Sequence, residues 1–253
     1  MTGVQTCALP ISIRSGAFGK CKGLRKIEFK ENKKYPVVLE NRAFLECADL
    51  EEVIWSPSIK EVGESAFSGC ISLEQVTLSK GTERIGNYAF ANCTNLKTIT
   101  LPEGLKTIGY NFISGTSVTN LTIPKTVTEI GYDRWMGCGA TDGAESLKSV
   151  VFEEGMERIP DYICRNWAEN SVLSEVRIPE SVNEIGSEAF YNCISVTIYG
   201  YSGSYAETYA KSKNISFIAL KDKKTIDISK AKISGVQEVY EYTGITIKPV
   251  PKV

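Results

Sequence analysis
The chain has 253 residues, 42% hydrophobic and 23% charged, which is enough apolar material for a substantial core and the wrong composition for a disordered tail. Lys+Arg 29 against Asp+Glu 30 leave a formal charge of -1, and no basic block stands out to bind nucleic acid or anionic lipid. There is no histidine, which removes Ser-His-Asp and Cys-His activation of a nucleophile, and no apolar run approaches the roughly 20 residues a membrane helix needs.

Taken in chain order, Thr2–Ile11 (TGVQTCALPI) resembles the translation of a sequencing adapter and matches nothing later, so residues 1–12 are read as a non-native leader. From residue 13 a single unit is copied. Ala43-Phe44, Ala66-Phe67 and Ala89-Phe90 recur at 23-residue intervals, and Ala17-Phe18 and Ala189-Phe190 repeat the pair. Around each pair runs I-G-x-x-A-F-x-x-C-x-x-L-x-x-V/I-x-L-P, most complete from Ile85 to Pro102. The end of the unit, Leu96-x-x-Ile99-x-Leu101, alternates apolar and polar positions as a half-buried strand does. Similar stretches lead to Phe29, Trp55, Leu78, Ile123, Phe152 and Ile178. Because corresponding strands run in the same chain direction, they must pair in parallel. The expected fold is an α/β repeat: a solenoid over residues 13–199, with about eight coils and one short parallel strand per coil. At about 4.8 Å per coil it would be about 40 Å long. Gly63, Gly86, Gly109, Gly131 and Gly186 each follow a buried Val or Ile, which calls for a positive φ or a close approach between coils.

Residues 200–220 read as a terminal cap. Ser204 is the N-cap candidate, Tyr205, Tyr209 and Ala210 are apolar at helical spacing, Asn214 ends the helix, and a short strand follows. Residues 221–253 read as a linker and the start of a truncated domain, in which Tyr242–Pro249 (YTGITIKP) resembles the opening of an Ig-like repeat.

The I-G-x-x-A-F-x-x-C unit resembles the BspA-like leucine-rich repeats of bacterial surface proteins, over about residues 13–220. That resemblance implies a leucine-rich-repeat solenoid, extracellular or cell-surface display, and protein binding or adhesion without catalysis. A protein or glycan ligand is the partner class it implies, with no nucleic acid and no membrane insertion. A passive spacer presenting another domain is the alternative.

No catalytic, cofactor or metal residue is singled out. Ser202 in Gly-Tyr-Ser-Gly lacks the second glycine of a nucleophile elbow, because residue 204 is serine. Cys21, Cys47, Cys70, Cys93, Cys138 and Cys193 each fall three residues after the repeat's Phe position, which suggests one buried column of thiols packing as small hydrophobes. Vertical disulfides between coils are the other reading.

Two candidate partner surfaces emerge. The outward strand positions form a polar, Thr-rich row that includes Gln75, Thr77, Thr98, Thr100, Asn120 and Thr122. With Cys138 in the thiol column, insertions at Gly139–Ser146 and Asn166–Val172 fall at one point of successive coils. They would form a shared protrusion containing Asp142, Glu145, Arg165, Asn166, Trp167 and Asn170. The open first coil also predicts end-to-end self-association.

Overall fold
The computed structural model describes residues 11–131, 137–167 and 171–221. Trp135, Asn170 and the expected linker and Ig-like start after Lys221 lie outside these residues. Up to Lys221 the chain is one compact unit.

That unit is a pile of coils with parallel strands stacked along one side. Its rungs are Lys26–Glu28, Glu52–Ile54, Gln75–Thr77, Thr98–Thr100, Asn120–Ile123, Ser149–Phe152, Glu175–Arg177 and Thr197–Gly200, closed by Ser216–Ala219 of the cap. Eight repeat rungs and one capping rung bear out the parallel solenoid. Strand pairing falls into three groups, Lys26–Glu28 with Glu52–Ile54, Gln75–Thr77 with Thr98–Thr100, and the rungs from Asn120–Ile123 onward; within each it is in register, so that Gln75 faces Thr98 and Thr77 faces Thr100. The residue between the two outward positions, such as Val76, Ile99 or Val150, is buried.

The structure adds a second strand to each coil where the repeat pattern suggested only one. Ile11–Ile13, Val37–Leu39, Ile59–Val62, Arg84–Ile85, Thr107–Ile108 and Glu129–Ile130 form one parallel sheet, and Arg158–Ile159 pairs with Glu184–Ile185. Several of these strands are two residues long, too short for alternation to be visible in sequence. Ile11 and Ser12, assigned above to the leader, pair with Val37 and Val38.

Between the two sheets the Ala-Phe pair turns the corner. Its backbone also climbs from coil to coil, with the Phe44, Phe67 and Phe90 N–H groups donating to Ala66, Ala89 and Phe112 carbonyls at 2.8 Å. The Phe rings follow. Phe18, Phe44, Phe67 and Phe90 stack with centroids 5.3, 5.1 and 5.5 Å apart and nearly parallel planes. Trp55 packs against Phe67 and Phe90 and is part of the core, as expected of its position.

The opposite corner explains the glycine column. Gly86 and Gly109 do not have positive φ; the reason for glycine is proximity. A Cβ on Gly109 would lie 2.3 Å from the Asn87 nitrogen and the Gly86 carbonyl carbon. The same corner is tied by Gly109 N–H donating to the Ile85 carbonyl at 2.8 Å.

The thiols sit one step past the Phe corner and point down the pile. Cys47, Cys70 and Cys93 donate to the carbonyls of Phe18, Phe44 and Phe67 at 2.9, 3.3 and 3.1 Å. Cys21, Cys47, Cys70, Cys93, Cys164 and Cys193 are free thiols. Burial pushes the Cys70 and Cys164 thiols well up, and Cys93 and Cys193 to about 12.

At the far end Ser204 caps the helix Tyr205–Ser212 by accepting from Glu207 N–H. Ala206, Tyr209 and Ala210 seal the last coil, with Tyr209 edge-on to Phe190 at 6.1 Å. Tyr205, expected on the inner face, is exposed, and Ala206 takes its place.

Gly109→Ala should destabilise the chain by about 1–3 kcal/mol, the usual cost of overpacking, as read from urea unfolding. The thiols make a pH prediction. The folded state holds their protons above the ordinary value of 9.0, so their contribution is complete below about pH 9 and is lost as pH rises towards the folded values. The thermal midpoint should fall above pH 9, and less so in Cys93→Ala. Iodoacetamide at pH 8 should modify the half-exposed Cys21 while sparing Cys70 and Cys93.

Candidate interaction surface
The stacking of coils sets the outward strand positions in two columns, paired in register within three groups of rungs. One runs through Lys26, Glu52, Gln75, Thr98, Asn120, Ser149, Glu175, Thr197 and Ser216; the other through Glu28, Ile54, Thr77, Thr100, Thr122, Val151, Arg177, Tyr199 and Ile218. Gln75, Thr77, Thr98, Thr100, Asn120 and Thr122 are all exposed and form an uncharged block at the centre of this face. The structure therefore brings these six together. The capping strand that carries Ile218 was expected from the sequence, but Tyr199 and Ile218 were not read as members of the outward row, which was traced only as far as Arg177.

The other sheet presents a different surface. Lys60 and Lys106 flank Glu83 from the coils on either side at 3.1 and 2.8 Å, and Arg158 binds Glu184 and Asp161 at 2.8 Å each. Lys106 and Lys60 hold the Glu83 carboxyl below its usual range. These charges satisfy one another across coils, and as exposed pairs they are worth little in stability.

The protruding loops require a correction of register. Ala144, and not Cys138, stands at the thiol position: Leu147 N–H donates to Ala144 at 3.0 Å, as Leu96 N–H does to Cys93 at 2.9 Å. Ala144 N–H in turn donates to Thr141, as Cys93 N–H does to Phe90. The first insertion thus lies between Gly131 and Gly139, before the corner, whereas the second follows Trp167. Cysteine identity misled the alignment because alanine fills the same small apolar slot.

The two segments still meet. A Cβ on Gly137 would come within 2.9 Å of the Trp167 ring and 3.0 Å of the Arg165 guanidinium. Arg165 is buried over the Tyr191 ring at 4.7 Å and the Tyr162 ring at 5.9 Å, and is ion-paired with Glu188. Asp142 is buried too, and its Oδ1 accepts from Gly143 N–H at 3.1 Å and Trp167 N–H at 3.0 Å. Asn166 is buried, with its N–H on the Tyr191 carbonyl at 3.0 Å. Of the expected protrusion residues, Glu145 and Trp167 face solvent, while Asp142, Arg165 and Asn166 form the internal frame that holds the bend. Tyr162, Glu188 and Tyr191 complete that frame and carry no repeat signature that sequence reading could use.

Among the described residues no cluster of His, Cys, Asp or Glu could hold a metal ion, and no helix is long and apolar enough to cross a membrane.

Comparison with known proteins agrees with this architecture. Residues 11–142 and 141–243 match the BspA type leucine rich repeat region, in six copies. Among curated protein sequences none matches the chain. A leucine-rich repeat protein from T. pallidum is similar in structure at TM-score 0.53 and 23% identity, over 78% of this chain and 86% of that one. The pneumococcal vaccine antigen PcpA is similar at TM-score 0.56 and 18% identity, over 85% of this chain and 60% of that one. A leucine-rich repeat protein from Bacteroides ovatus shows 21% identity at TM-score 0.41, with 78% of this chain and 66% of that chain covered. The chain thus spans just under two thirds of this last relative.

The frame and the exposed residues should separate in stability. Arg165→Ala leaves Glu188 without its ion pair and strips two rings of their cation, so it should cost about 2 kcal/mol or more in urea unfolding. Trp167→Ala, at 57% exposure, should stay within about 1 kcal/mol of the parent.

Proposed function
Because the chain belongs to the BspA-type leucine-rich-repeat family, we propose that it is a non-enzymatic binding and adhesion scaffold displayed outside a bacterial cell, with a protein or glycan as its ligand. The observation that carries this reading is the strand face. Its central residues Gln75, Thr77, Thr98, Thr100, Asn120 and Thr122, on three successive coils, are exposed and uncharged, in contrast to the opposite sheet, where Glu83 is held between Lys60 and Lys106 of the adjacent coils. Polar side chains mounted on a stacked backbone lose little entropy on binding. Glu145 and Trp167 at the edge of the bend extend the surface on offer. The spacer alternative draws on the same central block, whose short polar side chains lack the aromatic anchors of a tight interface.

Immobilising the whole chain and passing purified extracellular-matrix proteins and polysaccharides over it tests the proposal. Saturable binding to one of them should weaken about tenfold in Thr98→Arg and Thr122→Arg, and stay unchanged in Glu61→Arg on the other sheet. A flat response across the set would favour the spacer. Light scattering on the same sample separates ligand binding from end-to-end association through the first coil, where Phe18 is 44% exposed although its stacking partners are buried.

A further inference from the structure
The strand face changes character at its C-terminal end. Val151, Arg177, Tyr199 and Ile218 are consecutive members of one outward column. The ladder continues by one more bond, Leu220 N–H to the Gly200 carbonyl at 2.6 Å, so alternation places Tyr201 and Leu220 on the same side. Ile218 is 48% exposed, and Arg177 is exposed as well. Arginine, tyrosine and branched aliphatic side chains on neighbouring rungs about 4.8 Å apart form the composition that dominates protein interfaces.

Charge decides what would cover this patch. The face carries two cations. Lys26 is neutralised by Glu52 at 2.8 Å, whereas Arg177 has no carboxylate partner among the described residues; its guanidinium lies 5.7 Å from the Tyr199 ring. A cation over a ring face keeps its N–H donors available to a further partner. Covering the apolar neighbours would strip water from an unpaired cation, a penalty that only an incoming carboxylate offsets.

We propose that Val151, Arg177, Tyr199, Tyr201, Ile218 and Leu220 form an anchoring site for a protein segment that presents an Asp or Glu beside an aromatic or branched aliphatic side chain. This rests on the scaffold reading and names the site and the partner's chemistry within it.

The test is selection of phage-displayed random dodecapeptides on the whole chain, followed by affinity measurement of the synthetic winners. The winners should pair an acidic residue with an aromatic or branched one, and bind Arg177→Glu and Ile218→Glu about tenfold or more weakly. Replacing the peptide's acid by lysine should restore binding to Arg177→Glu, which a folding defect would not do; unchanged thermal midpoints of both variants provide the second control. Winners without an acidic residue, winners indifferent to Arg177→Glu, or the absence of winners would overturn the site. Winners blocked by Thr98→Arg and not by Arg177→Glu would overturn it while leaving the scaffold reading standing.

Discussion
Close approach of each coil to the next is the constraint on which the rest depends. Two parallel strands per coil can keep their hydrogen bonds only if the corners between them stack at the strand spacing, and at the Ile-Gly corner no Cβ fits in that gap. Once the backbone is held there, everything at a given repeat position is superposed on its counterpart above. Phe stacks on Phe, each Cys47-type thiol finds the Phe carbonyl one coil down, and outward strand residues become columns. The surface of this protein is therefore a consequence of its tightest internal contact.

This geometry explains what could be read in the sequence. Ala43-Phe44, Ala66-Phe67 and Ala89-Phe90 recur because the corner admits few alternatives, so the solenoid, its register over those coils and its polar strand face were legible. The second strand was not, since two residues such as Arg84–Ile85 carry no period. Cys138 was misplaced because the thiol position selects for small and apolar, a demand Ala144 also meets. The Arg165 frame was invisible for a different reason: Tyr162, Glu188 and Tyr191 come from neighbouring coils and occupy positions of the unit that do not recur along the chain. Asp142 and Arg165 looked like surface residues by type, yet each is buried because its partners travel with it.

The contrast between the halves of the pile shows how the fold makes room for such features. Coils in a solenoid touch only their neighbours, so a departure in one is answered next door and does not propagate. The Phe stack runs regularly from Phe18 to Phe90, while the strand face over the same coils passes from the charged Lys26, Glu28 and Glu52 to the uncharged Gln75, Thr77, Thr98 and Thr100. Beyond it Ile113, Thr141 and Cys164 follow at the corner, the ring stack lapses, and the packing is taken over by Phe152 against Phe190 and by Arg165 between its two tyrosines. Those coils bear both insertions and Arg177, whereas Tyr199 and Ile218 follow on the Phe190 coil and the cap. The stack fixes where outward side chains stand and leaves their identity free, because the strand positions face solvent and the corner puts no demand on them. Differences between neighbouring rungs of one regular scaffold are what recognition of one partner over another requires.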